Sequence, residues 1–220
     1  QEAFGRSVVA VQLPIGKEAD FRGVVDLISG QAYEFAADGK EQREIPVPGD
    51  LADQVAEFRE KLVEMVAEND DELLMKYLEG EELTAAEITQ GLRTAVQSGT
   101  LFPVFCGSAL RNIAVQPFLD AIVALAPSPA EAREIVATRP EGEEEVKLTA
   151  DPDGPFAALV FKTMADPYVG KLTLFRVYSG KLESDTQIYN SSKQVTERIG
   201  TIYRLKGKEQ EPVKVAVAGD

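Results

Sequence analysis

Histidine is absent from this chain, and cysteine occurs once, at Cys106. One cysteine cannot form an internal disulfide, and without a histidine to activate its thiol we expect Cys106 to be a small buried side chain rather than a nucleophile. This cysteine content fits a cytoplasmic protein. No apolar run approaches the ~20 residues that a membrane-spanning helix needs, so we expect neither a membrane span nor a signal peptide.

The first residue is Gln1 rather than methionine. At the other end, residues 217–220 predict a strand and a turn. We therefore expect a segment of a longer protein. Apolar residues make up 44% of the 220 residues, which is enough for a hydrophobic core in one or two domains.

Acidic residues outnumber basic ones, and the excess is unevenly divided. The net charge is −14, with 13 basic and 29 acidic residues in 1–152 but 10 basic and 8 acidic residues in 153–220. The acidic part, 1–152, favours a binding partner with a basic protein surface. The mildly basic part, 153–220, can lie against RNA if its charges share a face. The alternative is that the acidic charge only keeps the chain in solution.

Apolar runs separated by turn residues predict a small antiparallel meander in the first 45 residues. Its strands are expected at 8–13, 23–28, 31–35 and 43–45. Tight turns are predicted at Ser29-Gly30 and Asp38-Gly39.

A helical period begins after Gly49, with Asp50 as the predicted N-cap. Two shorter helices are expected at 71–78 and 84–97, the second opened by a capping box from Thr84 to Glu87. The first helix carries an acidic row on the side away from its apolar stripe. The row consists of Glu57, Glu60, Glu64 and Glu68. Such rows are ordinarily solvated faces, and a partner-binding surface is the alternative.

A strand-loop-helix unit follows the helices. An apolar run at 102–105 leads to the small residues Gly107, Ser108 and Ala109 and then to a helix at 115–126. Small residues let the backbone approach a flat ring closely, so that an N–H can recognise a carbonyl oxygen. An ordinary strand-to-helix corner is the alternative interpretation.

The stretch 131–152 is acidic and interrupted by prolines, which predicts an exposed linker. Short runs with a two-residue period then predict a small β-barrel over 153–220, incomplete at its end. Its strands are expected at 156–164, 171–178, 187–189, 197–204 and 213–217.

Residues 105–110 with 115–121 are similar to the last guanine-recognition motif of translational GTPases. Three further stretches are Gln12-Leu13-Pro14-Ile15-Gly16, residues 76–82 and residues 165–173. By their order and spacing along the chain, the four stretches together resemble elongation factor G, the ribosomal translocase. The resemblance runs through nearly the whole chain.

The resemblance implies the end of a P-loop GTPase domain with an inserted α+β subdomain, followed by a partial translation-factor β-barrel. Residues 1–130 would be the end of the GTPase domain, with the tail of a helix at 1–7, the insert at about 8–97 and the core strand, loop and helix at 98–130. Gly107, Ser108 and Ala109 would contact guanine. The phosphate-binding loop, both switch segments and the Asn-Lys-x-Asp motif would lie upstream of Gln1, so GTP or GDP and magnesium would bind only the full-length protein. We expect this segment alone to be inactive, with no catalytic or metal-binding residues.

The resemblance also implies ribosomal partners. The row Glu57, Glu60, Glu64 and Glu68 would face the stalk protein of the large subunit, and the barrel would contact small-subunit RNA. Candidate phosphate contacts are Lys162, Lys171, Arg176, Lys193, Arg198, Arg204, Lys206 and Lys208.

Two stretches depart from the family pattern. The expected Asn-Lys-Gly is here Asn112-Ile113-Ala114, and residues 203–212 replace a longer stretch that contains histidine and asparagine. Both differences resemble divergent second copies of elongation factor G found in some bacteria. We therefore expect ribosome-dependent GTP hydrolysis coupled to translocation or to another remodelling of the ribosome. The alternatives are a tetracycline ribosomal protection protein, a release-factor GTPase or a non-enzymatic ribosome-contacting module.

Overall fold

The computed structural model describes residues 5, 7–132, 134–140, 142, 144–166, 170–207 and 209–220. The chain divides into two compact units, Gln1–Ala126 and Pro127–Asp220, which we call unit 1 and unit 2. Unit 1 mixes helices and strands and unit 2 is rich in strands, so the predicted combination of α/β and β architecture is confirmed at that level. The predicted helix tail at 1–7 lies mostly outside the described residues.

Unit 1 contains two small sheets and a group of helices. Its strands are β1 (Val8–Ala10), β2 (Gln12–Ile15), β3 (Gly23–Asp26), β4 (Ala32–Phe35), β5 (Gln42–Ile45) and β6 (Phe102–Val104). Its α-helices are α1 (Ala52–Ala67), α2 (Asp71–Leu78), α3 (Ala85–Ser98) and α4 (Val115–Leu125). Short 3-10 helices lie at Glu18–Asp20 and Gly49–Leu51.

The single strand predicted over 8–13 is in fact two strands in different sheets. β1 pairs in parallel with β6, whereas β2 pairs with β3. The division falls at Val11, whose N–H donates to the Val104 carbonyl at 3.1 Å while its own carbonyl accepts from the Leu27 N–H. The start of the insert at about Val8 stays a prediction; the structure shows only that β1 and β2 belong to different sheets.

Strands β2 to β5 form the predicted antiparallel meander, each pairing with the next. The tight turn predicted at Asp38-Gly39 is confirmed, because Gly39 has φ 67° and its N–H donates to the Ala36 carbonyl at 2.8 Å. Gly30 occupies the turn between β3 and β4 with φ 75°. Both turns need the left-handed backbone that glycine adopts without strain.

Helices α2 and α3 have the predicted bounds to within one residue. The capping box is present: the Glu87 N–H donates to Thr84 Oγ1 at 3.3 Å, and the Thr84 N–H donates to Glu87 Oε2 at 2.9 Å. The prediction that Asp50 caps α1 is wrong. Asp50 lies inside the 3-10 turn that leads into α1, and Leu51 occupies the N-cap position without a side-chain hydrogen bond.

Gly91 lies where α3 meets the two preceding helices most closely. A Cβ at this position would be 2.6 Å from Val66 Cγ1 and 2.7 Å from Leu73 Cδ1. Glycine costs about 1 kcal/mol of helix propensity relative to alanine, and the close packing explains its presence here. The adjacent core is built from fully buried side chains that include Leu62, Ile88 and Leu92.

Strand β6 and helix α4 keep an exposed apolar face in this chain. Phe102 and Val104 on β6 are exposed, as are Leu119 and Val123 on α4. The sequence of β6 is typical of a strand inside a parallel sheet, so we expect either that its apolar faces are exposed or that another element packs or pairs with it. Both are seen: β1 pairs with β6, and these apolar side chains stay exposed.

Unit 2 consists of strands that pair two by two. They are β7 (Ile135–Thr138), β8 (Glu145–Leu148), β9 (Ala157–Asp166), β10 (Gly170–Ser179), β11 (Lys181–Glu183), β12 (Gln187–Asn190), β13 (Val195–Arg198), β14 (Ile202–Lys206), β15 (Glu209–Val213) and β16 (Val215–Val217). The antiparallel pairs are β7-β8, β9-β10, β11-β16, β12-β13 and β14-β15. The described strands thus form ladders around a small core of Val177, Leu182, Ile202 and Ala216.

Three predictions for unit 2 differ from the structure. The predicted linker, 131–152, contains the hairpin β7-β8, in which apolar Ile135 lies opposite Leu148. The single strand predicted over 197–204 is divided between β13 and β14, because the chain changes partner around Gly200. The strand predicted over 213–217 is likewise divided between β15 and β16.

Candidate functional site

The end of β6, the loop after it and α4 form the predicted strand-loop-helix unit. The rings of Phe105, just after β6, and Phe118, in α4, meet edge to face with centroids 5.5 Å apart. Phe105 also packs against the main core of unit 1. The loop that starts at Cys106 therefore leaves from a fixed strand end.

An open cleft of ≈ 580 Å³ lies beside this loop. One wall is formed by residues 105–108 and Arg111, and the other by the turn after β2, including residues 16–18 and Phe21. The volume of the cleft lies within the range of small-molecule sites in proteins, about 300–1,000 Å³. The cleft is our candidate site.

Two of the three predicted site residues line the cleft: Gly107 and Ser108 do, and Ala109 does not. The Ser108 N–H donates to the Ile113 carbonyl at 2.9 Å, and the Ile113 N–H donates back at 3.0 Å, so Ser108 has no free backbone donor. In the described part of the chain, the N–H groups of Gly107 and Ala109 have no hydrogen-bond partner. A Cβ at Gly107 would lie 3.3 Å from the Ile113 carbonyl oxygen, so glycine suits this crowded position.

Gln12 holds the start of the cleft loop, a role that the sequence did not reveal. Its side chain is buried, and its Oε1 accepts a hydrogen bond from the Cys106 N–H at 3.2 Å. The Cys106 thiol in turn donates to the Gln12 carbonyl at 3.6 Å, and burial raises the pKa of this thiol. The signal that could have found Gln12 is a polar side chain inside an apolar strand, because such a group needs a buried partner.

Arg111 and Asn112 connect the same loop to the meander. Arg111 Nη1 donates to the carbonyl oxygens of Ala19 and Phe21, each at 2.9 Å. Asn112 Nδ2 donates to the Gly39 carbonyl at 3.3 Å. The loop that lines the cleft is therefore fastened to two turns of the meander.

The departure from Asn-Lys-Gly has a structural explanation at its second position. Ile113 is fully buried with Val24 and Phe35, so an apolar side chain fits where the family pattern has lysine. Ala114, which is also buried, has φ 57°, a left-handed conformation that favours glycine. At the third position the chain therefore has a backbone conformation that the glycine of the family pattern would also favour, while the Ala114 side chain adds to the buried cluster.

The predicted acidic row is exposed. All four glutamates lie on the solvent side of α1 or at its end. Glu57 forms an ion pair with Lys61 at 2.5 Å, and Lys61 Nζ also lies 5.3 Å from the centre of the Phe58 ring. The other three, Glu60, Glu64 and Glu68, form no salt bridge within the described residues.

The basic residues predicted to contact RNA are exposed in unit 2, except that Lys208 lies outside the described residues. The exposed ones are Lys162, Lys171, Arg176, Lys193, Arg198, Arg204 and Lys206. Lys193 pairs with Glu197 at 3.1 Å and Arg198 with Asp185 at 3.4 Å. Exposed pairs of this kind contribute at most about 1 kcal/mol, so both cations remain accessible to an anionic partner.

Across the described ranges, no group of three or more acidic, histidine or cysteine side chains is placed to hold a metal ion. Within the same ranges, no helix combines the length and the apolar character needed to span a membrane.

Comparison with known proteins gives matches to a family model and to solved structures. Residues 155–220 match the family model described as elongation factor G domain 2. The structure superposes on a crystal structure of a protein from Thermus thermophilus with a TM-score of 0.72 and 31% sequence identity. This match covers 97% of our chain and 29% of the Thermus chain, so our chain spans less than a third of that protein's length. The predicted resemblance is therefore confirmed, and this chain is an elongation factor G-like segment of the translation-factor GTPase family.

Proposed function

We propose that this chain is part of a ribosome-dependent GTPase of the elongation factor G type and that its cleft holds the guanine base. The observation that carries the proposal is the backbone of the loop 107–109, of which Gly107 and Ser108 line the cleft and Ala109 follows directly after them. Two of its backbone N–H groups, those of Gly107 and Ala109, have no partner in the described residues. Such groups can donate to the carbonyl oxygen of guanine with little steric hindrance from side chains.

The phosphates and magnesium ion of GTP would contact residues outside this chain. The described residues contain no cluster of metal ligands, and the loop beside the cleft is not the glycine-rich kind that cradles phosphates. Bound GTP supplies the phosphoryl group that is transferred to water, and the role of this chain is to bind and orient the base. We propose that the full-length protein contains the rest of a P-loop GTPase domain.

The nucleotide proposal predicts a sharp contrast between two proteins. The full-length protein should bind fluorescent GDP at micromolar concentration or below, whereas this 220-residue chain should show no saturable binding in that range. The reason is that phosphate and magnesium contacts supply much of the affinity of such sites. Titration of both proteins by fluorescence anisotropy, with adenosine diphosphate as the control nucleotide, measures the contrast.

Two results would count against the proposal. If the full-length protein lacked a phosphate-binding loop and bound no GDP, the enzyme assignment would be wrong. If the isolated chain bound GDP at micromolar concentration, the division between base and phosphate contacts would be misplaced.

Partner binding forms a second part of the proposal and rests on charge and exposure. The acidic row of Glu57, Glu60, Glu64 and Glu68 is the candidate surface for the ribosomal stalk protein, and the exposed cations of unit 2 are the candidates for small-subunit RNA. Charges on an exposed rim change the rate of encounter more than the final affinity. A solvated acidic face is the alternative that the following experiment tests.

Replacing both Glu60 and Glu64 by lysine in the full-length protein is expected to slow ribosome-stimulated GTP hydrolysis about tenfold at low salt, with a smaller effect at high salt. These two positions form no salt bridge, within the described residues, that the change would break. The matched control is the same double change at the exposed Glu41 and Glu44, just before β5 and within it. It alters the net charge equally and should leave the stimulated rate close to that of the unchanged protein.

Equal rates for the row variant and the control variant at low salt would show that the acidic row is only a solvated face. Affinity for GDP should be unchanged in both variants. It serves as the check that neither substitution has damaged the nucleotide site.

A further inference from the structure

The turn after β2 forms the second wall of the cleft. It is a compact turn, in which the Arg22 N–H donates to the Ile15 carbonyl at 3.0 Å and the Asp20 N–H donates to the Lys17 carbonyl at 2.9 Å. Gly16 has φ 85°, and a Cβ there would lie 2.1 Å from the Asp20 carbonyl oxygen. This wall is therefore held together by hydrogen bonds within the meander.

Arg111 is the side chain that ties the loop to this wall. Its Nη1 donates to the carbonyl oxygens of Ala19 and Phe21 at the end of the turn, both at 2.9 Å. A charged donor makes stronger hydrogen bonds than a neutral one, and one guanidinium nitrogen here serves two acceptors. Because Arg111 follows Ser108 by three residues, the distance across the cleft depends on this contact.

We propose that Arg111 is a positioning residue: it holds the candidate base-recognition loop against the turn 16–21, and through it the meander sets how fast a purine base leaves the cleft. The second half of this inference rests on the proposed function. The first half concerns only the geometry of the loop and can be tested without any nucleotide.

Loss of the Arg111 contact should loosen the loop without unfolding unit 1. The loop keeps two other attachments to the meander, the hydrogen bond from the Cys106 N–H to Gln12 Oε1 and the hydrogen bond from Asn112 Nδ2 to the Gly39 carbonyl. The carbonyl of Ala19, at an exposed residue, can bind water once the guanidinium is gone. The expected consequence is a cleft that opens more often.

The single cysteine of the chain reports on this opening. Cys106 lines the cleft, is partly buried and donates its thiol hydrogen to the Gln12 carbonyl, so its alkylation should be faster when the loop moves. In the 220-residue chain, Arg111→Met should raise the rate of Cys106 alkylation by iodoacetamide about tenfold, the change expected when a charge-assisted hydrogen bond is lost. Arg111→Lys, which keeps the charge, should give a smaller rise.

Arg59→Met is the matched control. The Arg59 guanidinium also donates from one nitrogen to two backbone carbonyls, those of Leu27 and Ile28, but Arg59 is not among the residues that line the cleft. Arg59→Met should therefore leave the alkylation rate within about twofold of the unchanged chain. Far-ultraviolet circular dichroism of each variant checks that the helices are intact.

The second measurement is the release of fluorescent GDP from the full-length protein carrying the same substitutions. Arg111→Met should speed release about tenfold while Arg59→Met leaves it unchanged. An alkylation rate equal to that of the control, or unchanged GDP release despite faster alkylation, would overturn the proposal. If the unchanged full-length protein binds no GDP, the proposed function fails, and the alkylation rates alone still decide whether Arg111 positions the loop.

Discussion

Replacing Gly39 by alanine is expected to destabilise unit 1 by about 3 kcal/mol or more. Gly39 is buried in the turn between β4 and β5 with φ 67°, a conformation that costs an L-residue about 1–2 kcal/mol. A Cβ at this position would lie 2.3 Å from the Asn112 carbonyl oxygen and 2.5 Å from its carbon. Because these are backbone atoms of the cleft loop, no side-chain rotation can relieve the clash.

Gly30→Ala is the matched control for this substitution. Gly30 lies in the neighbouring turn of the same meander with φ 75°, but a Cβ there would meet no atom within 4 Å. This variant should lose only about 1 kcal/mol, because the left-handed strain is partly offset by the reduced entropy of the unfolded chain. The difference between the two variants therefore measures the contact between the turn and the cleft loop.

Urea unfolding followed by the helical circular dichroism signal gives both free energies. The signal reports on unit 1, because the α-helices of the described residues all lie between 52 and 125. Similar losses for Gly39→Ala and Gly30→Ala would contradict the prediction, since they would mean that the loop moves aside at little cost. Alkylation of Cys106 should also be faster in Gly39→Ala, because the clash displaces the loop that carries this thiol.

The parts of unit 1 that the sequence predicts well are those decided by local chemistry. The bounds of α2 and α3 follow from capping side chains and an apolar period, and the turn at Gly39 follows from a dipeptide that favours left-handed backbone. The division of the run 8–13 could not be predicted this way. Its apolar β-branched residues suit either sheet, and only the parallel pairing with β6, more than 90 positions later, assigns β1.

The candidate site shows the same limit. Gly107 and Ser108 could be singled out as small residues at a strand-to-helix corner, and both line the cleft, while their contact with guanine stays a prediction. Gln12 and Arg111 could not, because their partners are distant in sequence: 94 positions separate Gln12 from Cys106, and 90 separate Arg111 from Phe21. Their contribution appears only once the meander and the loop are folded against each other.

The last prediction concerns Ile113, where the chain departs from the family pattern. Ile113→Lys should destabilise unit 1 by about 3–5 kcal/mol, because it places an amine among buried apolar side chains and removes an apolar side chain from the core. Ile113 is fully buried, and its neighbours Val24 and Phe35 are buried as well. A lysine there would have to lose its proton or push the loop outward to reach water.

Two further variants separate burial from the general effect of adding a lysine. Val123→Lys places the same residue at a position of α4 that is 80% exposed and should change the free energy of unfolding by less than about 0.5 kcal/mol. Ile113→Leu keeps the volume and should cost less than about 1.5 kcal/mol. If Ile113→Lys were as stable as Val123→Lys, the lysine stem would reach solvent through the loop, and the burial of Ile113 would not explain why this chain lacks the lysine of the family pattern. A large loss of unfolding free energy in Ile113→Lys alone would show instead that the loop beside the cleft is part of the core of unit 1. The geometry of the candidate base site would then depend on the packing of the meander.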